Sequence, residues 1–474
     1  MAVSDDALVE LGAAGLAGRI AAREVSCVDV VAAHLDRIDA LNPAVNAIVA
    51  RRDRAEVLAE AAERDRELDR GDPAGPLHGI PMAIKDLAEV AGQPWTAGSP
   101  AFRDRVGQVD DPYVARIRAA GAVLVGRTNV PELGLGSQSY NPVWGTTTNP
   151  YDPTRTAGGS SGGAAAALAL RMLPVADGSD YLGSLRNPAA FCNVLGFRPT
   201  RGRVPQRGFV AQLSEVGPMG RSVADVALLL SVLAVPDPAA PLGRTDRLDL
   251  TDLRPADLRG RRVAWVGDLG GRLATEPGVL ALGRAAADAL AGLGAEVVDL
   301  VPAFDLDRLW SALLVWRWWG MVDKAPLLAD GVRELVKPEA RWEIERGLAL
   351  TAADITDAMA VRDQWFAEVA RLFGTVDAVL APSAQVFPFP SDVHWPAEID
   401  GRPMDTYHRW METVAPWSMA GVPVLGMPAG FDARGLPAGV QLIGAPGADR
   451  WVLEVGSAYE EATGWVERVR PPGL

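Results

Sequence analysis

The stretch from Ala157 to Thr200 constrains this chain more than any other. It opens on Gly158-Gly159-Ser160-Ser161-Gly162-Gly163 and runs through the alanine-rich Ala164–Leu170 to a short apolar strand, Met172 to Ala176. It then reaches Asp177-Gly178-Ser179-Asp180-Tyr181-Leu182-Gly183-Ser184-Leu185-Arg186. Glycine and serine normally signal a flexible linker. Here a strong helix former follows at once, so turn, helix, strand and turn hold Ser160 and Ser184 on rigid elements. A phosphate cradle at a helix start is a second reading, but the Walker pattern needs a Gly-Lys-Ser/Thr end that this loop lacks. The turn Asp180–Ser184 offers several backbone N–H groups in succession. Such donors hold the oxyanion of acyl transfer, at about 3–4 kcal/mol each. The plain alternative for Ser184 is a capping serine in a tight turn.

One lysine stands beside these serines in the argument. Of 46 Lys plus Arg residues, only Lys85, Lys324 and Lys337 are lysines. Lys85 ends the apolar run Gly79-Ile80-Pro81-Met82-Ala83-Ile84. Arginine stays charged at any working pH, whereas a desolvated lysine can lose its proton and act as a base. The alternative is a lysine that snorkels to the surface. Histidine is scarce: His34, His78, His394 and His408 are all there are, and none is near either serine turn in sequence. No Gly-x-Ser-x-Gly elbow surrounds Ser184. His78 reads as a structural residue at a strand edge.

Together these residues resemble the amidase signature family of serine hydrolases. The resemblance begins near Ala22–Ser26 and His34–Ile38, is strongest from Leu77 to Pro205, and returns in Met419–Pro423 and Leu436–Gly444. It implies a Ser–cis-Ser–Lys triad, with Lys85 as general base, Ser160 as relay behind a cis Gly159–Ser160 bond, and Ser184 as nucleophile. It further implies an acyl-enzyme route that releases a carboxylic acid and ammonia or an amine. The N–H groups of Tyr181, Leu182, Gly183 and Ser184 are then the oxyanion candidates. Asp180 and Arg186 would hold the turn by charge-assisted bonds; a surface ion pair is the bland reading. Similar proteins usually carry a small residue and a glycine where this chain has Tyr181 and Leu182. Both side chains should crowd the acyl pocket, which makes them specificity candidates.

Around this core, apolar periodicity predicts helices over residues 7–40, with Ser26 as N-cap before Val28–Leu41, and over 53–69, 221–234 and 278–292. Short apolar runs at Pro81–Ile84, Ala122–Val125, Arg262–Val266, Glu296–Val301, Val376–Ala381, Val424–Pro428 and Gly439–Ile443 predict strands. The alternation predicts an α/β layered fold with a largely buried sheet, and the resemblance implies one compact α/β/α sandwich around a large mixed sheet, spanning 1–474 as a single amidase domain. Its signature core covers about 77–205, and a helical, tryptophan-rich insertion covers about 305–372. Trp310, Trp316, Trp318, Trp319, Trp342 and Trp365 there either cover one side of the site or pack the helices. The stretch from Val393 to Trp410 either lines a pocket or packs as a surface loop.

Composition narrows the partners. A net charge of −14 argues against nucleic acid and acidic membrane surfaces. No apolar run reaches the roughly 18 residues that span a bilayer. Cys27 and Cys192 cannot build a disulfide framework, and Cys192 reads as a small buried hydrophobe. The first 20 residues carry Asp5, Asp6 and Glu10 and do not form a signal peptide, so a cytoplasmic protein is expected. No metal or organic cofactor is called for, since no Cys/His cluster offers a site. The glycine turn in Val263–Gly271 lacks the three-glycine spacing of a dinucleotide site.

The expected substrate is a small-molecule amide, bulky, aryl or oligomeric, with ester or carbamate cleavage left open. The alternatives are the glutamine-hydrolysing component of an amidotransferase, which works with partner subunits, and a non-catalytic or nucleotide-binding α/β protein. Homodimers are common among similar proteins, and the sequence leaves the oligomeric state open.

Overall fold

Local signals in the sequence set where the elements start and stop. The computed structural model describes residues 5–210 and 213–473. The helical pattern over 7–40 resolves into Asp5–Glu10, Ala13–Ala21 and Cys27–Val45. The third starts where expected, because Ser26 Oγ accepts the Asp29 N–H at 3.0 Å. It runs past Leu41 and ends at Asn46, which takes the left-handed conformation that asparagine tolerates. Asp53 caps the next helix, Arg54–Asp69, by accepting from the N–H groups of Ala55 and Glu56.

Eight strands form one mixed sheet. In spatial order they are Glu296–Asp299, Arg262–Trp265, Ala378–Pro382, Pro437–Ile443, Val424–Phe431, Leu195–Arg198, Glu215–Gly220 and Val175–Asp180. The first three run parallel and the remaining neighbours pair antiparallel. The expected strand at Met172–Ala176 is shifted toward the C-terminus. Met172 and Leu173 belong to the preceding turn, and the strand continues through the polar Asp177–Asp180. Antiparallel pairing from Val175↔Gly220 to Asp180↔Glu215 carries it there. Pairing thus overrides the apolar pattern.

Side chains along the central strands alternate between two cores, one on each face. Val263, Trp265, Ala378, Leu380, Leu425 and Leu442 join the first. Ala264, Val266, Val379, Ala381, Val424 and Ile443 join the second. Strand geometry sends successive side chains to opposite faces, and burial of both faces makes the strands near-continuously apolar.

The strand Pro81–Lys85 lies outside this sheet. It pairs in parallel with Val123–Thr128, and Ile48–Val49 completes a separate three-stranded sheet. The buried Arg127 locks its end by donating to the carbonyls of Ile84 and Lys85, at 3.1 and 2.9 Å.

The insertion is helical, with Leu306–Trp319, Pro338–Leu348 and Ala352–Leu372, and two 3₁₀ segments lie between the first two helices. Trp310, Trp316 and Trp365 are buried in the second core, which settles their role as packing residues. A small apolar cluster of Leu135, Leu327, Val336, Ala340 and Ile344 pins the insertion onto the loop beside the serine turns. The segment after Arg262–Trp265 does form a strand–helix–strand unit with parallel strands. Its helix starts only at Val279, well beyond Gly271, so the glycine turn presents no helix N-terminus. Among the described residues, no helix is long and apolar enough to cross a membrane.

Candidate active site

Lys85 and Ser160 meet where the small sheet abuts the end of the large one, and the turn that carries Ser184 is tied to theirs through Ser161. The backbone N–H of Lys85 donates to Asp177 Oδ1 at 3.1 Å, which docks one strand on the other. Tyr113 Oη holds the second oxygen of Asp177 at 2.9 Å. The Lys85 side chain is buried, and its Nζ lies 2.8 Å from Ser160 Oγ, 2.7 Å from Ser161 Oγ, 3.0 Å from Ser179 Oγ and 3.2 Å from the Ser179 carbonyl. Burial lowers its pKa to about 7, against the opposing pull of Asp177 and Asp180. The ammonium is therefore readily deprotonated near neutrality. A neutral amine keeps two N–H donors and one lone pair; the Ser179 carbonyl can only accept, so it takes one of the donors.

The serine loop is shaped from both sides. The Gly159–Ser160 peptide is cis. Ser137 Oγ donates to the Gly159 carbonyl at 3.0 Å, and the Ser139 N–H donates to the Gly158 carbonyl at 3.0 Å. A Cβ on Gly159 would sit 2.8 Å from the Gln138 nitrogen, which leaves room there for glycine alone. The helix Gly162–Ala169 follows directly. The Ser161 N–H donates to the Ser184 carbonyl at 3.3 Å and ties the first turn to the second.

The second turn hangs on Asp180, the last residue of its strand. Asp180 accepts the Gly183 N–H at 2.8 Å and the Leu185 N–H at 3.1 Å. Arg186 clamps both carboxylate oxygens and also reaches Gln441, Ser418 and the Val414 carbonyl. Both charges are fully buried, so this is no surface ion pair. Burial opposes ionisation of Asp180, yet the Arg186 charge and hydrogen bonds hold its carboxyl well below the usual range.

The Gly183 N–H, an expected oxyanion donor, is thus spent on Asp180. The N–H groups of Tyr181, Leu182 and Ser184 make no hydrogen bond to any described residue. The left-handed φ of the turn, 86°, falls on Gly183, so Leu182 needs no glycine-like backbone. The chemistry of the turn accommodates the leucine.

Above Ser184 lies a narrow cavity of about 10 Å³, lined by Leu182, the Gly134–Ser137 loop, Arg317, His408 and Met411. Leu182 is buried in its wall beside Ser184. Tyr181 is held to one side with the Arg317 guanidinium 4.8 Å from its ring centroid. The stretch from Val393 to Trp410 divides: His408 reaches the cavity, Trp410 is core, and His394 stacks on Tyr140 at 4.6 Å. His78 is structural, accepting the Ala74 N–H at 3.1 Å and bonding the Arg64 carbonyl at 2.9 Å. Cys192 is buried, and burial raises its thiol pKa.

Sequence reasoning assigns no role to Ser161, Ser179 or Asp177, although all three stand inside the quoted motifs. Hydroxyls and a carboxylate clustered around a rare lysine are the available signal. Arg317 and Glu343 give none, because arginine and glutamate are abundant throughout the chain.

The amidase family model matches residues 29–453. An acylamidase from Rhodococcus erythropolis is 34% identical over 470 residues, covering 97% of this chain and 96% of that protein. A glutamyl-tRNA(Gln) amidotransferase subunit from Chloroflexus aurantiacus is 36% identical, covering 94% of this chain and 95% of its own. Among solved structures, a bacterial aryl acylamidase of the amidase signature enzymes superposes with a TM-score of 0.90 at 28% identity, over 96% of this chain and 97% of that one. With the family model spanning most of its length and relatives aligned nearly end to end, this chain belongs to the amidase family.

Proposed function

We propose that this protein hydrolyses the C–N bond of a carboxamide by two-step acyl transfer, with the whole chain acting as one catalytic domain. The observation that carries the reading is the buried Lys85 Nζ, 2.8 Å from Ser160 Oγ and poised near neutrality. Neutral Lys85 draws the Ser160 proton, and Ser160 draws that of Ser184 as Ser184 Oγ attacks the carbonyl. The N–H groups of Tyr181, Leu182 and Ser184 are the donors left to hold the oxyanion, while Gly183 and Asp180 fix the shape of the turn. The proton returns through Ser160 to the departing amine, and water then frees the acid. Ser161 and Ser179 keep the amine of Lys85 aimed.

The substrate class follows the cavity. The narrow space beside Ser184 admits a group the size of a water or hydroxyl, so the bulk of the amide lies outside it. The similarity to an acylamidase and an aryl acylamidase supports this reading. We further propose a cytoplasmic enzyme, in keeping with the acidic, cysteine-poor chain. A second reading, glutamine hydrolysis in a complex, rests on the 36% identity to a component of a glutamyl-tRNA(Gln) amidotransferase.

The deciding experiment is product release by the purified protein alone, from glutamine, small aliphatic amides, acyl anilides, carbamates and linear oligoamides. Anilide turnover that is lost in Ser184→Ala is the expected result. Release of ammonia from glutamine only when partner subunits are added would replace this reading with the second.

A further inference from the structure

A buried polar cluster borders the cavity and takes no part in the triad. Its centre is Glu343, in the helix Pro338–Leu348, whose Oε1 accepts from Arg317 Nε at 3.0 Å and His408 Nε2 at 2.7 Å, and from the Tyr407 hydroxyl in a short bond. Arg317 Nη2 is spent on Tyr407 Oη at 3.2 Å. Arg317 Nη1 makes no hydrogen bond to any described residue, and the side chain lines the cavity with Ser184. His408, across the same cavity, has an enclosed Nδ1 without a partner.

The protonation pattern fixes what these two atoms offer. Burial lowers the His408 pKa and keeps the ring neutral at pH 7, although Glu343 pulls the other way. Arg317 and its hydrogen-bonded neighbours hold Glu343 ionised against burial, so it can only accept from His408. His408 Nε2 then carries the ring proton, and Nδ1 is left as an acceptor. Arg317 Nη1 is a donor. Across the cavity from the Leu182 and Ser184 N–H groups, this side of the wall therefore holds an unused donor, Arg317 Nη1, and an unused acceptor, His408 Nδ1, while Glu343 already balances the arginine charge. A carboxylate finds no second cation among the residues lining the cavity, and an apolar group leaves both atoms unsatisfied.

We infer that Arg317 and His408 form a specificity subsite for a small neutral group that both accepts and donates a hydrogen bond, such as a hydroxyl, on the acyl part of the substrate. This rests on the amidase reading of Ser184 given above. It predicts amides of hydroxyacids in preference to amides of plain fatty acids. A site built to bond a hydroxyl rejects the analogue without it more strongly than an apolar pocket rejects an extra methylene.

The test compares isosteres that differ only by OH for CH₃: the 4-nitroanilides of glycolic and propionic acids, and of 3-hydroxypropionic and butyric acids. Acetyl 4-nitroanilide serves as the reference. Each kcat/KM ratio is divided by the ratio of alkaline hydrolysis rates, which removes intrinsic reactivity. The expected wild-type preference is about tenfold for one hydroxyacyl member. Arg317→Met/Glu343→Gln removes the donor while keeping the cluster neutral, and His408→Phe removes the acceptor while keeping the ion pair. Whichever variant folds should bring the ratio near one, and damage to the fold alone would slow both members of a pair equally. Wild-type turnover of the acetyl reference with no hydroxyacyl preference, or a preference untouched in a folded variant, overturns the subsite and leaves the hydrolase standing. Failure of the wild type on every anilide overturns the stand-alone acylamidase reading and the subsite with it.

Discussion

Arg186 grips Asp180 with two parallel hydrogen bonds, Nε to Oδ2 and Nη2 to Oδ1, both 2.9 Å long, and neither side chain touches water. The pair sits directly under the turn that carries Ser184. Removing one partner strands a buried charge. Asp180→Asn should therefore cost about 3–5 kcal/mol of unfolding free energy in urea titrations at pH 7. The folded carboxyl titrates below the unfolded value of about 3.9, so its stabilisation is complete above that value and drains away as acid protonates the native state. The gap between wild type and variant should hold steady from pH 5 to 8 and narrow below pH 5.

Turnover should follow the protonation of Lys85. In the proposed mechanism the free amine is the working form, and burial places its pKa at about 7. On a reactive anilide, kcat/KM should rise about tenfold per pH unit below 7 and level off above it. Lys85→Arg, permanently charged, should stay inactive to pH 10. A flat profile between pH 5 and 8 would remove Lys85 from the base role.

Ser184→Ala should abolish turnover, by a factor of about 10³ or more, together with labelling by a fluorophosphonate probe. Its thermal midpoint should stay close to wild type, because the lost hydroxyl makes no hydrogen bond to any described residue. Retention of both turnover and labelling would move the nucleophile elsewhere.

Leu182 is buried beside Ser184 and narrows the cavity. Leu182→Ala should cost about 2–5 kcal/mol of stability and lower KM for anilides with acyl chains longer than butyryl. Steady-state kinetics across an acyl series, with urea unfolding alongside, separates the two effects. An unchanged chain-length profile would place the acyl group elsewhere.

Much of the site is readable from the chain because its signals are local. Ser160, Ser184 and Lys85 stand in glycine turns or at the end of an apolar run, and one pattern draws attention to each. Hydrophobicity puts the strand before Ser184 at Met172–Ala176, since it marks the buried turn more strongly than the polar strand. The true course through Asp177–Asp180 depends on pairing with Glu215–Gly220, a partner no local pattern reveals. A linear reading counts Gly183 as an oxyanion donor because it cannot tell which N–H groups a neighbouring carboxylate consumes. The cluster of Arg317, Glu343 and His408 is invisible for a related reason. Its members come from two helices and a loop, each residue ordinary where it stands, and only the packing of the insertion makes them neighbours.

Lys85 ends a strand of the small sheet and Ser184 stands on the turn that follows the edge strand of the large one; the two sheets join where the Lys85 N–H meets Asp177 and where Nζ meets three hydroxyls. On the proposed mechanism, catalytic competence is therefore a property of a seam. A perturbation that parts the two sheets by an ångström silences the enzyme while each remains folded, so turnover reports on how they mate more sharply than any spectroscopic probe of folding. Substitutions inside either sheet should then leave the chemistry intact so long as the seam closes.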